Sequence, residues 1–193
     1  MTLPLVLAST SPFRRELLTR LQIDFIQDSP EVDETPLVNE NTTQLCQRLA
    51  IAKAQALSKK HPHHLIIGSD QAATFNGEII GKPMTHANAT QQLQRFSGQK
   101  LAFHTGLCLL NSQTGLFQHH VEAFNVYFRT LTTEQIERYL QAEQPYQCAG
   151  SFKSEGLGIS LFERLEGNDP TSLIGLPLIR LVTMLQQEGV LVP

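Results

Sequence analysis

Two arginines stand in the sequence where a helix would normally place acidic residues. In ASTSPFRRELL, Ser11-Pro12 is a helix start signal, because serine caps free N–H groups and proline suits the first turn. The helix dipole favours carboxylates in that turn, yet Arg14 and Arg15 occupy it. At about 100° per residue, Arg14 lies on the apolar stripe of the helix and Arg15 points away from it. The pattern indicates that Arg14 meets an anion and that Arg15 is a surface residue.

Phosphate is the anion that best suits this helix start. The helix follows a predicted first strand, and ligands of open α/β sheets bind at the carboxyl ends of strands. Backbone N–H groups, the hydroxyls of Ser9 and Ser11, and the Arg14 guanidinium would converge there. Such groups together bind phosphate. The first strand and helix therefore predict a phosphate site.

Two lysines extend the same pattern. Lys53 lies within the apolar arc of a helix predicted over 42–59, so its ammonium must either reach solvent or meet an anion. Lys82 stands in GKP, a common loop sequence that is a weak signal alone. It gains weight from its closeness in sequence to Asp70. Lys53 and Lys82 are therefore candidate partners of the same anion.

Carboxylates are predicted at the same edge of the sheet. Asp70 ends the apolar run HLIIGSD, and Glu31, Asp33 and Glu34 lie in the loop after the second strand. Singly, such residues are typical of turn caps and solvated loops. Next to three cations, they suggest that carboxylates hold Mg²⁺ or Mn²⁺ while the cations hold phosphate, as hydrolysis of a phosphoanhydride requires. The chain has no GxxxxGK[ST] segment, which excludes a P-loop enzyme.

The composition sets the frame for this chemistry. The 193 residues are 41% hydrophobic and 17% charged, with a net charge of −3, so a nucleic-acid partner is not expected. No apolar run approaches the roughly 20 residues of a membrane helix. The three cysteines are far apart and form no CxxC pair, which favours reduced thiols in a cytoplasmic protein. We expect residues 1–193 to form a single domain.

The order of predicted elements indicates an α/β protein with a mixed, twisted sheet flanked by helices. Strands are predicted at LPLVLAS, IDFIQ and HLIIGSD, in a hairpin at ATFNGEII, and in two runs around SQTG. Helices are predicted over about 12–21, 42–59 and 85–96, in TTEQIERYLQ, and near 175–187, the last opening with Gly175 and Pro177. The Gly-rich stretch CAGSFKSEGLGISLF lies between the last two helices.

A family resemblance joins these segments. LASTSPFRRELL, EVDETP, RLAIAKA, GSDQ, GKP, FSGQKLAFHTG, CAGSFKSEG and GLPL resemble the Maf-like nucleotide pyrophosphatase family in order and spacing, over nearly the whole chain. The resemblance implies an elongated, Maf/ITPase-like α/β fold with a cleft between two lobes. It also implies cleavage of a nucleoside triphosphate to a monophosphate and pyrophosphate with a divalent metal cation (Mg²⁺, Mn²⁺ or Co²⁺), and a homodimer as a plausible assembly.

The resemblance also implies roles for individual residues. The catalytic and phosphate-binding set by motif position is Ser9, Arg14, Glu34, Lys53, Asp70 and Lys82, with Ser11 beside it. Glu34 and Asp70 would hold the metal. Whether Asp70 is the general base or a metal ligand stays open at this point.

Three positions bear on the base of the nucleotide. Family members that prefer thymidine or uridine triphosphates have arginine, threonine and glutamine where this chain has Phe13, Gln71 and Glu155. The combination here is similar to the subgroup that acts on 7-methyl-GTP, although that subgroup more often has tryptophan at the first position. Methylation at N7 makes guanine cationic, so an aromatic face attracts it. A carboxylate can accept hydrogen bonds from guanine N1–H and the 2-amino group.

Three other functions remain open from the sequence. The first is a different substrate within the family, such as UTP, dTTP or another modified nucleotide. The second is a nucleotide-sensing regulator, for example of division, a process with which the family is associated. The third is a phosphatase that releases inorganic phosphate. Turnover of a triphosphate separates an enzyme from a sensor, and the identity of the released product separates the two enzymes.

Overall fold

A computed structural model describes residues 2–192 of the chain. Its strands are β1 (Leu5–Ala8), β2 (Phe25–Asp28), β3 (Leu65–Phe75), β4 (Glu78–Ile80), β5 (Lys100–Asn111), β6 (Phe117–Phe128) and β7 (Phe162–Gly167). Its α-helices are α1 (Pro12–Thr19), α2 (Thr42–Ala56), α3 (His86–Phe96), α4 (Thr133–Glu143), α5 (Pro170–Ile174) and α6 (Leu178–Gln187). Two short 3₁₀ segments, Ala149–Ser151 and Leu157–Leu161, precede β7.

The strands form one mixed sheet. Its order is β2-β1-β3-β5-β6-β7, with β4 paired to β3 outside this path. β1 runs parallel to both β2 and β3, whereas the pairs β3–β4 and β6–β7 are antiparallel. The predicted class, an α/β protein with a mixed sheet and flanking helices, is confirmed.

The described chain divides into two compact units. The first comprises 2–71, 104–122 and 169–192, and the second comprises 72–103 and 123–168. The chain passes between the units within β3, β5 and β6 and again after β7. The single domain expected over 1–193 stays a prediction.

The first unit has an aliphatic core in two layers. Because side chains alternate along a strand, Leu5 and Leu7 of β1 face one side of the sheet and Val6 and Ala8 the other. The first side packs against leucines of α1 and α6, and the second against alanines of α2. These layers fix α1 and α2, the two helices that carry the predicted cations.

The second unit has an aromatic core. Its central phenylalanine rings stack edge-to-face or at a tilt with centroids 4.8–5.7 Å apart; they are Phe75, Phe96, Phe103, Phe128, Phe152 and Phe162. Edge-to-face contacts of this kind add stability beyond the area that the rings bury. They anchor β7 and the segment before it, although that segment has little regular structure.

Two predicted elements differ from the structure, and one strand of the structure was not predicted. β3 does not end at Asp70 but continues to Phe75, because Ala73–Phe75 pair with β4. The helix predicted near 175–187 begins only at Leu178, after Pro177, and Gly175 instead ends α5, a separate short helix that was not predicted. β7 was not predicted, since it buries only its first residue fully and lacks a clear alternation.

The remaining expectations concern cysteines and membrane helices. Cys46 and Cys108 are buried and Cys148 is half-buried, and burial raises the pKa of the Cys108 thiol to about 12. Within residues 2–192, no helix has the combined length and apolarity needed to cross a bilayer.

Candidate active site

A buried lysine joins two carboxylates in the first unit. The Lys53 ammonium lies 2.6 Å from Glu34 Oε1 and 2.6 Å from Asp70 Oδ1. The Lys53 side chain is 8% exposed and that of Asp70 is 11% exposed, whereas Glu34 is largely open to solvent at 61%. The anion expected beside Lys53 is thus present within the protein itself. The loop after β2, the helix α2 and the strand β3 meet at this one ammonium.

A glycine allows α2 to lie close enough for this contact. A Cβ atom at Gly68 would come within 2.1 Å of the Ala50 carbonyl oxygen on α2, so only glycine fits there. The helix is fixed at its start by a reciprocal capping box between Asn41 and Gln44. Lys53 follows Ala50 by three residues and therefore projects over the strand just beyond Gly68, where Asp70 lies.

Burial and charge act in opposite directions on Asp70. Desolvation raises the pKa of this carboxyl group, and the nearby positive charges of Lys53 and Arg14 lower it; the net direction is upward. Burial likewise lowers the pKa of the Arg14 guanidinium, while Asp70 and Glu34 oppose that shift. Arginine remains charged in proteins in any case. Arg14, Lys53, Glu34 and Asp70 therefore form one electrostatically connected group.

A backbone carbonyl group holds the Arg14 guanidinium by its Nε–H. Its Nε donates to the Gly175 carbonyl oxygen at 2.8 Å, and one terminal nitrogen lies 3.4 Å from the Ser9 hydroxyl oxygen. This fixes the plane of the guanidinium and leaves further N–H groups in a fork that suits phosphate oxygens. Arg15, by contrast, is exposed, as predicted.

The loop between β1 and α1 is ordered by its own side chains. The Ser9 hydroxyl accepts a hydrogen bond from the Ser11 N–H at 3.1 Å, and the Ser11 hydroxyl caps α1 by accepting from the Arg14 N–H at 3.3 Å. Gln27 of β2 donates its amide to the carbonyl oxygens of Ser9 at 2.8 Å and Ser11 at 3.4 Å. Ser9, Ser11 and Arg14 are therefore held together at the start of a helix, and their binding of phosphate stays a prediction.

Phe13 and Gln71 also belong to the first unit. Phe13 is half-buried in the first turn of α1. The Gln71 amide nitrogen lies 2.7 Å from the Ser172 carbonyl oxygen, 3.0 Å from that of Leu173 and 3.1 Å from the Thr105 hydroxyl oxygen. Two carbonyl acceptors require the nitrogen, not the oxygen, on that side of the amide.

Lys82 and Glu155 belong to the second unit, and both are exposed. Burial raises the pKa of the Cys148 thiol, and the charges of Lys82 and Glu155 act on the same group. The charges of both predicted residues thus act on one thiol of the second unit.

A carboxylate of α4 braces the turn that carries Glu155. Glu143 accepts a hydrogen bond from the Leu157 N–H at 2.8 Å, and the Lys153 ammonium lies 3.2 Å from its other oxygen. The Lys153 N–H in turn donates to the Tyr139 hydroxyl at 3.1 Å. Glu155 therefore projects from a turn that is fixed at both ends.

The two carboxylates on Lys53 provide the kind of ligand that a hard divalent cation takes. Among residues 2–192, no group of three or more His, Cys, Asp or Glu side chains is arranged to hold a metal ion. A cation bound here would have Glu34 and Asp70 as protein ligands and would complete its coordination with water and phosphate oxygens, as Mg²⁺ commonly does. The donor set fits such a cation only together with a phosphate ligand.

Residues 4–188 match the family described as Maf-like protein. The chain belongs to the Maf-like protein family. It is 58% identical over 189 residues to a protein of Pseudomonas savastanoi pv. phaseolicola (strain 1448A / Race 6), and 98% of each chain is covered. It is 57% identical over 191 residues to a protein of Pseudomonas fluorescens (strain Pf0-1), covering 99% of this chain and 100% of that one. Both relatives are named 7-methyl-GTP pyrophosphatase.

Among solved structures, the Staphylococcus aureus Ham1 protein is similar to this Maf-like chain with a TM-score of 0.48 and 15% identity. The similarity covers 66% of this chain and 72% of the other.

Sequence reasoning missed several residues that hold the Maf-like site in place. Gln27 and Glu143 orient the loops that carry predicted residues, and the Gly175 carbonyl holds Arg14. Gln27 had a weak signal, since it ends a predicted strand, whereas Glu143 lies two residues beyond the predicted helix TTEQIERYLQ. Gly175 had a misleading one, because GLPL looks like a helix start.

Proposed function

We propose that this Maf-like chain is a nucleotide pyrophosphatase that hydrolyses 7-methyl-GTP to 7-methyl-GMP and pyrophosphate. The observation that carries the proposal is the near-full-length identity of 58% and 57% to two relatives that bear this name. We also propose a cytoplasmic location, which the three widely spaced cysteines, without a CxxC pair, support. Homodimerisation stays a prediction.

The cations of the site would bind the triphosphate. Arg14 offers its guanidinium fork beside the Ser9 hydroxyl, at the start of α1 where N–H groups and the helix dipole also favour an anion. Lys53 and Lys82 would neutralise further phosphate charge. Arg14 next to the helix start is thereby explained, because the charge of the ligand offsets the repulsion between the guanidinium and the dipole.

The Lys53 cluster would carry out the hydrolysis. A water molecule adds to the α-phosphorus, its proton passes to the Asp70 carboxylate, and the bond to the β-phosphate oxygen breaks to release pyrophosphate. Lys53 holds Asp70 in place at 2.6 Å, and burial raises the pKa of Asp70, which makes it a stronger base than a solvated aspartate. A divalent cation (Mg²⁺, Mn²⁺ or Co²⁺) held by Glu34 and Asp70 would supply Lewis-acid stabilisation of the phosphate oxygens.

Phe13 and Glu155 would select the base. The Phe13 ring offers a face to the cationic 7-methylguanine, and the exposed Glu155 carboxylate can accept its N1–H and 2-amino hydrogens. Pyrimidines such as uracil do not offer this pair of donors. Selectivity would therefore depend on one aromatic ring and one carboxylate.

The test is a panel of nucleotides with and without each of the three divalent cations, in an assay that resolves pyrophosphate from inorganic phosphate. We expect pyrophosphate from 7-methyl-GTP at a higher kcat/KM than from GTP, UTP or dTTP. The double variant Phe13→Arg with Glu155→Gln should lower the ratio of kcat/KM for 7-methyl-GTP to that for UTP by roughly 10- to 100-fold, because a hydrogen bond to a charged group is lost.

Arg15→Gln is the matched control, since it alters an exposed cation of the same helix turn. It should leave both the rate and the ratio unchanged. Release of inorganic phosphate from 7-methyl-GTP would contradict the reaction, no turnover of any triphosphate would favour a nucleotide sensor, and an unchanged ratio in the double variant would contradict the base-reading roles.

A further inference from the structure

One arginine of α2 binds both ends of the segment 35–40. The Arg48 Nε lies 2.6 Å from Glu40 Oε1, and its Nη2 lies 2.8 Å from Glu40 Oε2. The same Nη2 donates to the Thr35 carbonyl oxygen at 3.1 Å. Two parallel bonds to one carboxylate are the strong and directional form of an arginine–carboxylate pair. The guanidinium therefore fixes the start and the end of this segment on α2.

The Glu40 carboxylate of this pair is enclosed. Its side chain is 7% exposed, and Oε2 also accepts the Leu37 N–H at 2.9 Å. The Glu40 N–H donates to the Leu37 carbonyl oxygen at 3.1 Å, which closes a turn between the two residues. Because a buried carboxylate without its partner is costly, the pair with Arg48 holds as a unit.

Glu34 directly precedes the threonine that Arg48 holds. It lies in a stretch without helix or strand and is 61% exposed, yet its carboxylate lies 2.6 Å from the Lys53 ammonium. A largely exposed carboxylate gains little from an ion pair, so this contact alone is a weak hold on the loop. Lys53 follows Arg48 by five residues on the same helix. α2 therefore carries both partners of the contact, Lys53 directly and Glu34 through the carbonyl group next to it.

We propose that Arg48 and Glu40 are positioning residues for Glu34. The guanidinium fixes the Thr35 carbonyl group, and with it the direction in which the preceding carboxylate points toward Lys53. A loop released from α2 would bind the divalent cation more weakly, while the groups that bind phosphate stay in place. The inference rests on the proposed function in one respect only, that Glu34 is a ligand of that cation.

Arg48→Lys should change the metal requirement more than the reaction. A lysine keeps the charge, but its ammonium lacks the planar fork that bonds both Glu40 oxygens. We expect the Mn²⁺ concentration for half-maximal hydrolysis of 7-methyl-GTP to rise about tenfold, as for the loss of one hydrogen bond to a charged group. The kcat at saturating Mn²⁺ should stay within about twofold, because excess metal refills the site. In a Glu34→Gln background, Arg48→Lys should add little, because the ligand that it positions is already gone.

Two measurements do not depend on turnover. Calorimetry of tripolyphosphate with and without Mn²⁺ gives the gain in affinity that the cation provides. This gain should shrink about tenfold in Arg48→Lys, while binding without Mn²⁺ stays unchanged. NMR relaxation should show a more mobile backbone amide at Glu34, whereas that of Lys53 in α2 stays rigid.

Arg20→Lys is the matched control. Arg20 is another arginine of the first unit, and it pairs with Glu16 at 3.6 Å on the exposed side of α1. Its replacement should leave the Mn²⁺ requirement, the tripolyphosphate affinities and the relaxation of Glu34 unchanged.

The outcomes separate this inference from the proposed function. If 7-methyl-GTP is not hydrolysed, the proposed function fails, while the gain from Mn²⁺ and the motion of Glu34 still decide the role of Arg48. An unchanged gain with a lower free energy of unfolding would overturn the inference, because Arg48 would then only stabilise the fold. An equally rigid Glu34 would overturn it too, as would an unaltered protein whose tripolyphosphate binding Mn²⁺ does not strengthen. If Arg48→Lys does not fold, Glu40→Gln, which keeps the shape but offers one acceptor oxygen instead of two, takes its place in every arm.

Discussion

The two units of the chain place a carboxylate in opposite environments. In the first unit, Asp70 is buried against Lys53, and desolvation raises its pKa even beside that cation. In the second unit, Glu155 is exposed on a turn, where the Ser154 hydroxyl donates to it at 3.3 Å. A buried carboxylate has properties set by its charged neighbours, whereas an exposed one is placed by the backbone that carries it. We infer that chemistry belongs to the first environment and recognition to the second.

The cores of the units follow the same division. Aliphatic layers cover both faces of β1 and β3, and α2, which carries Lys53, packs closely on the sheet at Gly68. The Glu155 turn follows Phe152, whose ring packs against Phe103, Phe128 and Phe162. The first arrangement fixes side chains directly. The second fixes a segment of backbone and leaves its side chains in solvent.

Removal of the buried carboxylate should have the largest effect. Asp70→Asn keeps the size of the side chain and an oxygen for the Lys53 ammonium, but it takes away the base. We expect kcat for 7-methyl-GTP to fall by about 10²- to 10⁴-fold, the usual contribution of a general base, with a much smaller change in substrate affinity. Pyrophosphate release and calorimetric binding of the substrate measure the two quantities.

Asp28→Asn is the matched control for this change. Asp28 is another aspartate of the first unit, and its carboxylate binds Lys60 at 2.8 Å and His61 at 2.7 Å. Its replacement should leave kcat unchanged. Normal turnover by Asp70→Asn would remove Asp70 from the mechanism and with it the division between a chemical and a recognising carboxylate.

Removing the support of the Glu155 turn should have a smaller effect than Asp70→Asn, and one that depends on the substrate. Glu143→Ala removes the acceptor of the Leu157 N–H and the partner of Lys153, so the turn that carries Glu155 loses its brace. We expect the preference for 7-methyl-GTP over UTP to fall by about fivefold, the equivalent of one hydrogen bond of ~1 kcal/mol, with kcat for UTP little changed. The two kcat/KM values measure it.

Glu143→Gln separates the two contacts of this brace. An amide oxygen still accepts the Leu157 N–H, but the ion pair with Lys153 is lost. This variant should therefore keep most of the preference that Glu143→Ala loses. If Glu143→Ala kept the whole preference for 7-methyl-GTP over UTP, the Glu155 turn would need no support from α4.

Local sequence patterns predicted much of the candidate site in the first unit. The helical position of Arg14 and that of Lys53 follow from a period of 3.6 residues, and both side chains meet polar partners in the structure. The carboxylates of Glu34 and Asp70 were expected close to the cations, and Lys53 binds both. Periodicity was sufficient for Arg14 and Lys53 because each lies on a helix, whereas Glu34 lies in a loop that has no period.

The rest depended on contacts between segments far apart in the chain. Past Asp70, β3 continues through residues that pair with β4, and α5 is too short to show a period. The amide of Gln71 contacts carbonyls about one hundred residues later, a pairing that no local pattern contains. The role in base selection that the resemblance implies for Gln71 stays a prediction.

The smallest expected effect is on the pH dependence of stability, through Asp28 of the first unit. Unlike Asp70, Asp28 has its pKa lowered, to about 2, chiefly by the hydrogen bond from Lys60 and then by that from His61. Its unfolded value is about 3.9, so Asp28 stabilises the folded state above about pH 4, and this contribution is lost as the pH falls toward 2. Urea unfolding from pH 6 down to pH 2 should show Asp28→Asn less stable than the unaltered protein near neutrality, with the difference closing in acid. Lys60→Met should reproduce the larger part of this trend, and a difference that stayed constant with pH would mean that the ion pair does not stabilise the fold.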